Sequence, residues 1–193
     1  NEVRVGSANR RWQAAFELSK IITMGSEQER MQGLVSEMVV LLEDAVTDDE
    51  RIRHYLALSL GHLGDKEATP ALVGALSDND SATRLYSSWA LGKIGDKTAV
   101  GALIPLLQDD DVGVRKMVAY ALGEIGDVNT IQHLEVALSD PERDVSWNAA
   151  ISLAQLGSRA GEMQLLQMLD ADFLSTVAQM EGSQQLLATQ SAI

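Results

Sequence analysis

The run Val114-Arg115-Lys116-Met117-Val118-Ala119-Tyr120-Ala121-Leu122-Gly123-Glu124-Ile125-Gly126-Asp127 decides the fold, because the chain writes it more than once. The same pattern stands 31 residues earlier, opening at Thr83-Arg84 and closing at Ile94-Gly95-Asp96. Another step of 31 back lie Arg53 and Leu63-Gly64-Asp65. One step forward the series closes on Leu156-Gly157-Ser158, with Ser146 at the arginine position and Ser158 at the aspartate position. A fixed period of this size marks a solenoid, in which each unit buries its apolar face only by stacking on its neighbours. Such a fold offers a surface for holding something more readily than a pocket for chemistry.

Each unit reads as two helices. In the second unit Thr69-Pro70 starts the first helix, where a missing N–H costs nothing. Leu72 and Leu76 share one face at i, i+4, and their equivalents are Leu103 and Leu107, Leu134 and Leu138, then Leu165 and Leu169. An acidic turn, Asp78-Asn79-Asp80, follows. Asp80 is expected to cap the second helix, as Asp49, Asp111 and Glu142 would cap theirs. Gly64, Gly95 and Gly126 are expected to end the second helices in the left-handed conformation. Gly61, Gly92 and Gly123, one turn earlier, leave room for close helix approach, and Ala154 takes that place in the fourth unit. Pro105 falls within a first helix and should kink it.

The flanks fit less well. Arg11 to Leu18 resembles the second helix of an earlier unit, ended by Gly25 and followed by a longer loop. Leu34 to Val46 supplies the next first helix. Beyond Leu169 the period is lost; Asp172 to Met180 suits a capping helix and Glu181 to Ile193 a polar tail. The expectation is one domain over 1–193: a partial unit at 8–25, regular repeats at 34–170, a cap and tail at 171–193. The chain opens on Asn1 rather than Met, which fits a fragment of a larger protein.

Composition narrows the partners. With 15 basic against 28 acidic residues the net charge is −13, which repels nucleic-acid backbones and anionic lipid. Proteins or peptides are the expected partners, with no nucleic acid and no membrane insertion, since no run of 18 apolar residues occurs. The absence of cysteine removes disulfide and thiolate chemistry and fits a cytoplasmic location.

The quoted run resembles a HEAT repeat and is most similar to the short subtype named after phycobilisome lyases. The resemblance covers roughly residues 34–170. It implies an all-α, right-handed α-α superhelix of about five helix pairs, first helices convex and second helices concave. It also implies a polar ladder between units; read physically, Arg53, Arg84 and Arg115 would pair with Asp65, Asp96 and Asp127 to fix register. Repeats of this kind occur in chromophore lyases, hydroxylases, base-excision enzymes and many bacterial scaffold proteins, so the resemblance fixes fold rather than function.

Function should lie in what varies while the frame stays constant. Four positions in each second helix escape the core pattern. The first holds Trp12, His54, Leu85, Lys116 and Trp147; the next Gln13, Tyr55, Tyr86, Met117 and Asn148. The third holds Phe16, Leu58, Trp89, Tyr120 and Ile151; the last Lys20, His62, Lys93, Glu124 and Gln155. Their spacing keeps them on one helical face. Of eight aromatic residues seven fall on these positions, Phe173 being the exception, a bias that a core filled by Leu, Ile, Val and Ala does not need. Aromatics gathered on a solenoid's inner face suit a binding patch; the competing reading packs them between adjacent helices, above all in the third row. The rows carry Lys20, Lys93, Lys116 and Glu124, a mildly basic sum on an acidic body that suits an acidic or amphipathic peptide.

Catalytic signatures are scarce. The three histidines include His54 and His62, eight apart and too distant to chelate as an i, i+4 pair, and His133, expected on the surface. The hydroxylases of the superfamily use His-Glu dipeptides as iron ligands, and this chain contains none. Asp109-Asp110-Asp111 lacks the alternating ligands and closing Glu of a calcium loop. The sequence therefore points to a non-enzymatic scaffold with no cofactor. It would bind a protein or peptide through Tyr55, Tyr86, Trp89, Tyr120 and Trp147, with Lys93 and Lys116 steering. The alternatives are an accessory factor or lyase for attaching a tetrapyrrole to a protein, and a structural spacer in a larger protein.

Overall fold

The computed structural model describes residues 8–24, 32–45 and 49–169. The expected cap and tail beyond 169, Gly25 with its loop, and Val46 lie outside the described residues. Ten α-helices and no strand occur among the described residues. The second-type helices are α1 (Ala8–Met24), α3 (Glu50–Leu63), α5 (Ser81–Ile94), α7 (Val112–Ile125) and α9 (Arg143–Gln155). The first-type helices are α2 (Gln32–Asp44), α4 (Thr69–Ala75), α6 (Val100–Leu103), α8 (Ile131–Ala137) and α10 (Glu162–Leu169). Each second helix packs on the next, so α1, α3, α5, α7 and α9 make one continuous layer with the shorter first helices packed behind it.

Local chemistry sets the boundaries. Asp49, Asp80 and Asp111 cap α3, α5 and α7 by accepting the backbone N–H groups of Arg51, Thr83 and Val114. Glu142 holds the same extended backbone before α9 but makes no side-chain cap bond; a glutamate, one methylene longer than aspartate, is not among the side chains that favour this position. At the other end Gly64, Gly95 and Gly126 adopt φ of 68°, 70° and 71°, a region costly for residues with a Cβ. The turn at Gly then launches a short 3-10 segment, Lys66–Ala68, Lys97–Ala99 or Val128–Thr130, which feeds the first helix. Instead of the kink expected at Pro105, α6 ends after four residues, and the chain continues as a 3-10 helix over Ile104–Gln108.

The frame leucines fill the space between the layers. Leu56, Leu60, Leu72, Leu91, Leu103, Leu122, Leu134 and Leu153 are all buried in one continuous core. The pattern fails at the last first helix. Leu165 is only half-buried and Leu169 is 81% exposed.

The glycines at the helix crossings confirm the close approach. A Cβ added to Gly92 would lie 2.9 Å from Ala121 Cα and 3.0 Å from Ala121 Cβ, so α5 and α7 touch backbone to backbone there.

Candidate functional site: the second-helix face

The arginine ladder comes first, because it fixes how successive faces align. It exists, but with other partners than the repeat pattern suggested. Arg53 pairs with Asp78 at 2.8 Å, Arg84 with Asp109 at 2.7 Å and Arg115 with Asp140 at 2.8 Å, each arginine reaching the turn of the following unit. The same guanidinium also donates to a carbonyl of its own unit's turn, Arg84 to Asp78 O at 2.9 Å and Arg115 to Asp109 O at 2.8 Å. One side chain thus staples two turns. Asp65, Asp96 and Asp127 do something local. Following the left-handed glycine, each accepts a backbone N–H two residues on, from Glu67, Thr98 and Asn129. Ser158 does likewise for Ala160, which explains why a serine can stand there. The acids of the ladder also recur at a spacing of 31, so the signal for them was present in the sequence.

Electrostatics follows the geometry. Burial raises the carboxyls of Asp109 and Asp140, but hydrogen bonds from Arg84 and Arg115, backbone N–H groups of Asp111 and Glu142 and the guanidinium charges together outweigh it and hold both below the ordinary carboxylate range. Asp80 is likewise raised by burial, then brought down to about 2 by His54 and by the Thr83 hydroxyl and backbone.

The second-helix face itself carries the four rows. Not one of their twenty residues is buried: all are half-buried or exposed, while in α3, α5 and α7 the frame positions between them are shut away from water. The rings are interleaved along the layer. Phe16 packs against Tyr55 with ring centres 5.1 Å apart, His54 against Tyr86 at 5.3 Å, and His62 edge-on to Trp89 at 4.9 Å. Trp12, Tyr86 and Trp89 also rest one side on the core. Trp89 is the most structural of them: a Cβ on Gly61 would come within 2.6 Å of its ring. Tyr120 lies under Lys93, whose ammonium is 5.6 Å from the ring centre, and Trp147 is half-buried on α9. The ring row is therefore a continuous, partly packed and partly open strip.

The cations on it are already engaged. Lys93 meets Glu124 at 3.3 Å, Lys116 meets Asp144 at 2.7 Å and Lys20 meets Glu17 at 3.0 Å. Contacts with Tyr120 and then Glu124 raise the Lys93 pKa above its ordinary value. The mildly basic sum expected from the rows is thus locally cancelled, because adjoining acids outside the rows had not been counted against them. His133 is exposed on α8. Among the described residues no group of three or more His, Cys, Asp or Glu is placed to hold a metal, and no helix is long and apolar enough to cross a membrane. A cleft of about 320 Å³ lies between α2 and α4, with Leu42, Pro70, Ala71 and Gly74 around it. Of its three charged residues, Arg53 and Asp78 are committed to each other and Glu43 is exposed.

Comparison with known proteins agrees with this architecture. The chain resembles the complex of CpcE and CpcF of phycocyanin lyase from Nostoc sp. PCC7120, with 25% identity and a TM-score of 0.69, over 92% of this chain and 72% of that one. It resembles human deoxyhypusine hydroxylase at 27% identity and a TM-score of 0.55, over 62% of this chain and 43% of that one. A designed armadillo repeat protein in complex with the peptide (KR)4 shares the fold at 19% identity and a TM-score of 0.65, over 99% of this chain and 95% of that one. No curated protein sequence matches. The family model for HEAT repeats matches three times, over residues 37–114, 75–154 and 102–180. With the 31-residue helix pairs, the glycine-ended second helices and the inter-unit arginine ladder, these matches place the chain in the HEAT-repeat family.

Proposed function

We propose that this chain is a non-enzymatic helical-repeat scaffold that binds a protein or peptide segment along its second-helix face. The observation that carries this reading is the unburied strip of twenty positions across five successive helices, which holds seven of the eight aromatic residues of the chain. Rigid rings already held by their neighbours lose little entropy on binding, and such anchors dominate interface energetics. Tyr55, Tyr86, Trp89, Tyr120 and Trp147 are the anchors in this reading.

The test is a selection of displayed random peptides on the natural chain and on a Tyr55→Ala, Tyr120→Ala variant. These two rings are chosen because neither sits at a helix crossing as Trp89 does, so the variant should keep its helicity. Peptides enriched on the natural chain and lost on the variant support the reading. Enrichment that ignores both substitutions refutes it.

A second reading, an accessory factor or lyase for tetrapyrrole attachment to a protein, is favoured by the likeness to the phycocyanin lyase complex. Mixing the purified chain with a bilin tests it; an unchanged absorption spectrum sinks it.

A further inference from the structure

The sign of the partner's charge can be read from which charges on the face are spent and which are not. This inference rests on the binding role proposed for the second-helix face. The three lysines of the rows, Lys20, Lys93 and Lys116, each hold a carboxylate of this same chain, so the strip presents three cations against three anions. Arg51, which lies over the Trp12 ring, is held by Asp49. An acidic partner would have to displace these internal carboxylates to gain a cation.

The edge of the face, where the turns enter the second helices, is different. Its ladder acids Asp78, Asp109 and Asp140 are neutralised one for one by Arg53, Arg84 and Arg115. Against one further cation at this edge, Arg143, that leaves Asp80, which holds His54, with Asp110, Asp111 and Glu142, and none of the four has a lysine or arginine of the described residues within ion-pair distance of its side chain. Asp80, Asp111 and Glu142 occupy equivalent capping positions, one per unit, so the surplus repeats along the solenoid. This edge adjoins the first row directly: Asp80 is 2.6 Å from His54, whose ring packs on Tyr86. The whole chain, at −13, adds a field of the same sign.

We infer that the partner is a cationic, amphipathic peptide segment, its apolar side chains lying on the aromatic strip and its lysines or arginines meeting the Asp80–Asp111–Glu142 edge. Cationic side chains gain twice on such a surface, from the carboxylates and from the faces of the rings.

The experiment titrates three fluorescein-labelled twelve-residue peptides, alternating Leu with Lys, Leu with Gln, or Leu with Glu, into the natural chain at two salt concentrations. Two variants run alongside: Tyr55→Ala with Tyr120→Ala, and Asp110→Asn with Glu142→Gln. The second pair spares the helix caps, because Glu142 makes no side-chain cap bond and Asp110 is exposed. The inference expects the Lys peptide to bind at least tenfold tighter than the Gln peptide and the Glu peptide to be weakest. Salt, the ring substitutions and the edge substitutions should each weaken the Lys peptide severalfold. Equal affinities, or a preference for the Glu peptide that the ring variant abolishes, would overturn the charge assignment and leave the binding face standing. Lys-peptide binding that ignores the ring variant would overturn it as attraction to the acidic body at large. No binding by any of the three would count against the face itself.

Discussion

A Gly92→Ala substitution should destabilise this protein even though it improves helix propensity. Gly92 lies inside α5, where replacing glycine by alanine is worth about 1 kcal/mol in an unobstructed helix. The added Cβ would stand 2.9 Å from Ala121 Cα, a backbone atom that no rotamer change can move. Overpacking of this kind costs roughly 1–3 kcal/mol, and a backbone clash belongs at the upper end. The net loss is then about 2 kcal/mol, which in a chain of this size lowers the melting temperature by about 4–8 °C. Gly74→Ala is the control. Its Cβ meets nothing within 4 Å, so only the propensity gain remains and the melting temperature should rise slightly. Thermal unfolding followed by circular dichroism at 222 nm reads both. If Gly92→Ala stabilises as Gly74→Ala does, α5 and α7 do not touch as described, and the close-packed second-helix layer is wrong.

Other consequences are as direct. Asp109→Asn leaves Arg84 without its charged partner at a site where the aspartate side chain is only 10% exposed, and should cost about 3 kcal/mol in urea unfolding; replacing both members with apolar residues of similar size should recover most of it. Glu142→Asp supplies the cap bond that α9 lacks and should stabilise by about 1 kcal/mol, seen as a raised urea midpoint. Acid titration should show stability falling from about pH 4 toward 2. Asp80, Asp109 and Asp140 have depressed folded pKa values, so their contribution is complete above the unfolded carboxylate pKa of about 3.9 and is lost as pH drops through the folded values, about 2 for Asp80. An Asp80→Asn variant should flatten the lower part of that curve.

Much of the architecture was legible because a repeat states each structural requirement several times. Gly95 and Gly126 announce the helix ends, and Gly61, Gly92 and Gly123 announce the crossings, since only glycine meets those conditions cheaply. The ladder partners were missed for a geometric reason. Asp65 is near Arg53 in the motif but follows a left-handed glycine that turns it into the next segment's cap, while Asp78, 25 residues on, returns beside the guanidinium through the stacking of units. The charge on the face was misjudged in the same way. Lys116 and Asp144 are 28 residues apart and meet only across α7 and α9, whereas Lys93 and Glu124, at the same row position one period apart, could have been paired on paper. Glu142 shows the limit of pattern reading: the right charge at the right place, with a side chain of the wrong length to cap.

The central claim is that the aromatic second-helix strip is the partner-binding surface. Hydrogen exchange of the natural chain, with and without the tightest peptide recovered by selection, tests it most directly. The account predicts added protection concentrated in α3, α5 and α7, around Tyr55, Trp89 and Tyr120, with the first helices unchanged. Protection appearing instead along α4, α6 and α8, with the second helices unaffected, would contradict it.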